Sequence, residues 1–213
     1  MPLYKSVTIN ETTRLLVWKN TESMEELSHA VRLKDVCVHK MDKMKSEAHR
    51  KAFLGVRMLM QEIGYTDYDL FYTPDGKPHL KDGNTISITH SYAFSAIIVS
   101  SGESGIDMEM QREKVVTIAE KFMEPEFAYL DPTHMDTYMK MLIVIWGVKE
   151  AVYKMLSRKG LSFKQHIEVL KFELADAQGS AQVKFEDIHA QYPFYFEEIE
   201  DFTLVYCLGN NNF

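Results

Sequence analysis

The hydrophobic pattern of the chain divides into strand-like and helix-like stretches. LYKSVTI and TRLLVWKN read as two strands joined by a polar turn at Asn10 and Glu11. ESMEELSHAVRL reads as a helix with Thr21 as its cap. In SEAHRKAFLGVRMLMQEIG, Ala48, Ala52, Val56, Leu59 and Ile63 recur at helical spacing, and Gly64 ends the run. TPDGKPHL (73–80) has the Pro and Gly chemistry of a turn. TISITH and FSAIIVSS predict a hairpin turning at SYA. GIDME follows as a strand. Side chains two apart share a face, so Ile106 and Met108 should meet the core and Asp107 and Glu109 should point the other way. Beyond it the period changes to helical: KVVTIAEKFM, a short PEFAYL, then one long helix from Met135 to Leu156. From HIEVLKFEL to FTLVYCLG the alternation of strands returns, with breaks expected at DAQGS and HAQYP.

Strands therefore come in adjacent runs around helices and do not alternate strictly with them. That order predicts an α+β fold with antiparallel sheets, not a doubly wound parallel sheet. A seam near 100–105 divides the chain into halves at 1–102 and 103–213. The 213 residues, 46% hydrophobic and 26% charged, suffice for one or two cores. Charge is unevenly shared. Residues 1–102 carry 13 basic and 12 acidic side chains, and residues 103–213 carry 11 and 19. Neither half has the basicity that nucleic-acid binding needs. Cys37 and Cys207 form no disulfide framework and no metal cage. The longest apolar run, MLIVIWGV, is far short of the ~20 residues of a membrane span. The N-terminal residues lack the pattern of an export signal, so a cytoplasmic setting is expected.

Five groups of residues carry candidate chemistry. Asp107 and Glu109, held side by side, repel each other unless a cation, a shared proton or water separates them. They are either solvated acids or hard-cation ligands of the kind Mg²⁺ takes together with substrate phosphates. Glu150 and Lys154 in WGVKEAVYKMLSRKG share a helix face with Trp146, a spacing that also fits an ordinary surface pair worth ~0.2–0.5 kcal/mol. Lys149 lies about 100° round that helix and does a different job. His90, at a strand end in SITHS, can donate to a phosphate or a carboxylate. Lys77, beside Pro78 in GKPHL, can contact phosphate as a point charge. Arg50 and Arg57, two turns apart, can present two guanidinium groups on one face. The sequences GxGxxG and GxxxxGK[ST] are absent.

In order and spacing, GKPHL, ITHS, GIDME and WGVKEAVYK followed by Gly160 resemble the surfactin-synthetase type of 4′-phosphopantetheinyl transferase, over about residues 45–165. The resemblance implies two similar α/β halves related by a pseudo-twofold axis, with coenzyme A in the cleft between them. It implies Mg²⁺ held by Asp107, Glu109 and Glu150, with Glu150 also near the acceptor hydroxyl as base. His90 and Lys154 would contact the coenzyme A phosphates. Lys77, Pro78 and Thr89 would lie against the nucleotide, and Arg50 and Arg57 would serve its 3′-phosphate. Thr89 stands where the family often has Ser, and Gly147 sits inside the long helix where other residues are usual. Glu124 and Glu126 lie near the position of a further family acid, out of register. The implied partner is an acyl or peptidyl carrier protein. It would be met through the loop 124–136, where Met123, Phe127, Tyr129 and Leu130 could offer apolar contact. A monomer is expected. Two other readings use the same residues: a Mg²⁺-dependent phosphate-ester hydrolase, and a non-catalytic relative that binds coenzyme A or the carrier.

Overall fold

The computed structural model describes residues 2–210. The chain forms two compact units, Met1–Gly102 and Glu103–Phe213. The first begins with a hairpin of β1 (Leu3–Asn10) and β2 (Thr13–Lys19). It continues through three helices, α1 (Met24–Ala30), α2 (Asp35–Asp42) and α3 (Glu47–Glu62). It closes with β3 (Leu70–Tyr72), β4 (Pro78–Leu80), β5 (Thr85–Ser91) and β6 (Phe94–Ser100). All the strand pairs are antiparallel, in the order β1-β2-β6-β5-β4-β3. Leu16 and Trp18 of β2 pack against Val56, Leu59 and Met60 of α3.

The second unit repeats this plan without the extra outer strand. It runs β7 (Ser104–Met110), α4 (Lys114–Phe122), a 3-10 turn (Pro125–Tyr129), α5 (Met135–Leu156) and α6 (Phe163–His166). Then come β8 (Ile167–Val169), β9 (Gln178–Phe185), β10 (Ile188–Ile199) and β11 (Phe202–Leu208). Its antiparallel sheet has the order β7-β11-β10-β9-β8. In each unit the last strand returns to pair with the strand that precedes the helices. The predicted α+β class with antiparallel sheets is therefore the observed one.

Local signals account for most boundaries. α3 ends where Gly64 takes a left-handed φ of +86°, which glycine adopts without steric penalty. The cap of α1 is Ser23, not Thr21: its hydroxyl accepts from Glu26 N–H while Glu26 accepts from Ser23 N–H, a reciprocal capping box. The hairpin between β5 and β6 turns on Tyr92 and Ala93, and Ser91 still belongs to the strand. HAQYP does not break the chain. It lies inside β10, where Pro193 pairs with Ser180 of β9 just before β11 joins at Phe194. At that point β10 is effectively an edge, where a residue without an N–H is tolerated. The breaks fall at Glu186 and Glu200 instead, both with positive φ. Two short elements, α2 and β3, had no periodic signature in the sequence.

Candidate active site

The second unit positions its acids by bringing β7 and α5 unusually close. A Cβ on Gly105 would lie 1.9 Å from the carbonyl oxygen of Ala151, so only glycine lets the strand meet the helix backbone there. A Cβ on Gly147 would lie 2.7 Å from Val205 Cγ2 and 3.9 Å from Asp107 Oδ2. The helical glycine, which lowers helix propensity by roughly 1 kcal/mol, is what allows α5 to settle onto β7 and β11 at the level of Asp107.

This approach buries the face of β7 that alternation sets opposite Ile106 and Met108. Ile106 and Met108 are buried as alternation predicts, but Asp107 is buried too, with 4% exposure. The strand is covered on both faces, and α5 covers the acidic one. Lys154 Nζ donates to Asp107 Oδ1 at 2.7 Å and to Ile106 O at 3.1 Å. Trp146 Nε1–H donates to Glu109 Oε1 at 3.1 Å. Trp146, Glu150 and Lys154 follow one another at four-residue intervals along α5, so one stripe of the helix supplies all three.

The electrostatics match the crowding. Burial first, then the charge of Asp107, raises the Glu109 carboxyl above its ordinary value. Burial and Asp107 also push Glu150 up, to about 7, against the pull of Lys154. Glu150 is thus an acid near neutrality in the free protein. Such a group can accept a proton at physiological pH.

Among the described residues, no group of three or more His, Cys, Asp or Glu side chains stands arranged to hold a metal ion. The Lys154 ammonium lies against Asp107 instead. The chemistry of the set still fits a hard cation of the Mg²⁺ type, which needs only one or two protein carboxylates when the substrate brings phosphate oxygens. Two carboxyls raised partly by the charge of a third stand to gain from added positive charge.

Other sequence candidates resolve differently. Lys149, next to Glu150, is fully buried and pairs with Glu126 Oε1 at 2.6 Å. Glu126 is therefore committed to the interior and is not a fourth acid of the cluster. Glu124 is exposed and stands 3.9 Å from Lys164. In the loop proposed to dock a partner, Met123 is buried, Tyr129 and Leu130 are half-buried, and Phe127 is exposed.

In the first unit, Arg57 is 2% exposed, with Nε 2.9 Å from Asp67 Oδ1 and its guanidinium 3.6 Å from the Phe53 ring centroid. This corrects its expected role. The two arginines do not share an outward face, because Arg57 points into the unit and neutralises a buried carboxylate. Arg50 is half-buried and donates from Nε to Met44 O at 2.8 Å. Lys77 sits in a hairpin turn closed by Thr73, which accepts from Lys77 N–H on its hydroxyl and donates its own N–H to Lys77 O, and Pro78 opens β4 opposite Tyr72. His90 is exposed on β5, 6.2 Å from the ring of His49, and Thr89 beside it is buried. The Trp146–Glu109 bond and the strict need for Gly105 were not legible in residue spacing. A tryptophan one turn ahead of Glu150 and a glycine two residues ahead of Asp107 were their only signals.

Acids and a lysine thus converge where β7 meets α5. A family model, the 4′-phosphopantetheinyl transferase superfamily, matches residues 103–207, the segment that carries the cluster. The second unit, over residues 103–207, is thus what matches that superfamily. It is also similar to a 4′-phosphopantetheinyl transferase of Bacillus subtilis, 26% identical over 142 residues. That alignment covers 65% of this chain and 62% of the relative, so the match spans a little over three fifths of the relative's length.

Proposed function

We propose that the protein is a 4′-phosphopantetheinyl transferase of the surfactin-synthetase type. It moves the 4′-phosphopantetheine group of coenzyme A onto a serine hydroxyl of an acyl or peptidyl carrier protein and releases 3′,5′-ADP. The observation that carries this reading is the convergence of Asp107, Glu109 and Glu150 with Lys154 where β7 meets α5.

In this reading the serine oxygen attacks the phosphorus that bears the pantetheine arm. A new P–O bond forms to serine, and the bond from that phosphorus to the bridging oxygen of the diphosphate breaks. Glu150 takes the serine proton, directly or through a water, and the departing oxygen stays with 3′,5′-ADP. Asp107, Glu109 and Glu150 would hold Mg²⁺, which when bound supplies positive charge to the diphosphate oxygens. Lys154 has a third N–H beyond its bonds to Asp107 and Ile106 and would give it to phosphate. In the first unit His90, Lys77, Pro78, Thr89 and Arg50 are the proposed nucleotide contacts. The protein would act as a cytoplasmic monomer. No helix among the described residues is long and apolar enough to cross a membrane.

The test is the intact mass of a serine-bearing apo carrier after incubation with the protein, coenzyme A and Mg²⁺. A gain of one phosphopantetheine, lost with a chelator or with Asp107→Ala, is the expected result. No gain on fatty-acid, polyketide or nonribosomal-peptide carriers, with coenzyme A still bound, would instead identify a non-catalytic binder. Release of phosphate without any acceptor would identify a hydrolase.

A further inference from the structure

The outer edge of the second sheet is closed by side chains where another strand would otherwise lie. β8 is the edge strand, and an uncovered edge offers unpaired N–H and C=O groups. Here Val169 N–H donates to Glu126 Oε1 at 3.0 Å, and Val169 O accepts from Tyr129 at 2.8 Å. Ile167 O accepts from Lys149 Nζ at 2.6 Å. Lys149 also donates to Phe163 O at 3.0 Å and to Glu126, which uses all three of its donors. Glu126 Oε2 takes Glu124 N–H at 3.2 Å. An ion pair with no exposure is thus satisfied throughout, and it ties the 3-10 turn, α5, α6 and β8 together.

The knot reaches the acid cluster through Phe163. Lys149 grips the Phe163 carbonyl. The Phe163 ring lies against Trp146, with centroids 5.7 Å apart, and against Tyr153 at 5.5 Å. Trp146 is held on its other side by Phe122 at 5.0 Å, and its indole N–H bonds Glu109. Trp146 and Tyr153 flank Glu150 along α5, four residues before it and three after.

We infer that Glu126 and Lys149 are positioning residues for the acid cluster: they fix Phe163, which wedges the Trp146 indole so that it orients the Glu109 carboxylate. The inference builds on the proposed transferase reading, but one of its readouts does not depend on that activity. A buried ion pair replaced whole by apolar groups of similar size often leaves a protein folded, whereas removing one partner strands a charge. The first variant is therefore the double replacement Glu126→Leu with Lys149→Met. The second is Phe163→Leu, which keeps the knot and removes the wedge.

For each variant that stays folded by circular dichroism and thermal melting, two quantities are measured: Trp emission with acrylamide quenching, and kcat and KM for transfer to the carrier. Trp18 is unchanged throughout, so differences in emission report Trp146. We expect red-shifted, more readily quenched emission and a kcat lower by about 10- to 100-fold, the usual effect of losing a supporting contact behind a ligand. KM should change little. Unchanged emission in folded variants overturns the inference, whether or not kcat falls. Should the double variant fail to fold, Glu126→Gln with Lys149→Met, which keeps an acceptor for Val169 N–H and Glu124 N–H, takes its place. Should the parent protein fail to modify any carrier, the transferase reading falls, and emission still tests the wedge.

Discussion

The two units share one strand order and treat the same surface in opposite ways. In each, the strand that precedes the helices turns one face toward the long helix. On β2 that face carries Leu16 and Trp18, packed on Val56, Leu59 and Met60. On β7 it carries Asp107 and Glu109, against Trp146 and Lys154. The first unit uses the contact for burial, where each large apolar side chain contributes about 1.5–3 kcal/mol. The second places carboxylates in the same kind of contact, where desolvation opposes their charge. A topology that can be sealed with leucine and tryptophan is here held open to chemistry, a pattern expected where function overrides local stability.

The sharpest way to break this comparison is to truncate both strands. Asp107→Ala should lower carrier modification by roughly 10²–10³-fold, the scale of losing one preorganised charge contact, while thermal melting still shows a folded protein. Leu16→Ala should do the reverse. It should lose about 2–5 kcal/mol in denaturant unfolding, with activity per folded molecule unchanged. If Leu16→Ala instead abolished transfer in a folded protein, the division of labour would be wrong.

Glycines sharpen the comparison next. Gly105→Ala drives a Cβ into the Ala151 carbonyl, a backbone atom that cannot step aside, and should destabilise by about 1–3 kcal/mol or more. Gly55→Ala on α3 also meets an atom at very short range, 2.2 Å away, but that atom is the Asn20 side-chain oxygen. A side chain can swing away, and alanine gains roughly 1 kcal/mol in helix propensity. Melting temperatures should therefore fall clearly for Gly105→Ala and little for Gly55→Ala.

The units should also respond oppositely to pH. Burial pushes the Asp67 carboxyl up, but the Lys34 N–H and the Arg57 charge outweigh it, and the net value lies below 3.8. A depressed carboxyl stabilises above its unfolded value and loses that contribution as pH falls through its folded one. The first unit should weaken below pH 3.8, and Asp67→Asn should remove that component of the acid transition. Glu150 is the inverse case. Its value rises from 4.5 to about 7, so the folded state binds the proton more tightly than the unfolded state. Stability then declines as pH climbs from 4.5 through 7. In metal-free buffer Glu150→Gln should melt above the parent at pH 8, with the gap closing below pH 4.5. A gap independent of pH would mean that the Glu150 carboxyl is not raised at all, because burial and the charge of Asp107 act only on its ionised form.

Much of this protein is written in one dimension. The helical repeat of Ala52, Val56 and Leu59, the glycine at 64 and the uninterrupted span from Met135 to Leu156 set those elements, because period and breakers act within a few residues. The order of GKPHL, GIDME and WGVKEAVYK marked the candidate site and the resemblance to the 4′-phosphopantetheinyl transferase superfamily. Other features depended on residues far apart in the chain. Alternation set Asp107 and Glu109 opposite Ile106 and Met108, but it cannot reveal that α5 packs on the acidic face and buries Asp107. Spacing put Arg50 and Arg57 on one helix face, but only Asp67, ten residues past Arg57, shows that Arg57 turns inward. Lys149 and Glu150 are neighbours in sequence, yet one closes a sheet edge and the other joins the acids. That division comes from α5, whose 100° step per residue sends consecutive side chains to different neighbours, and only the packed structure supplies those neighbours.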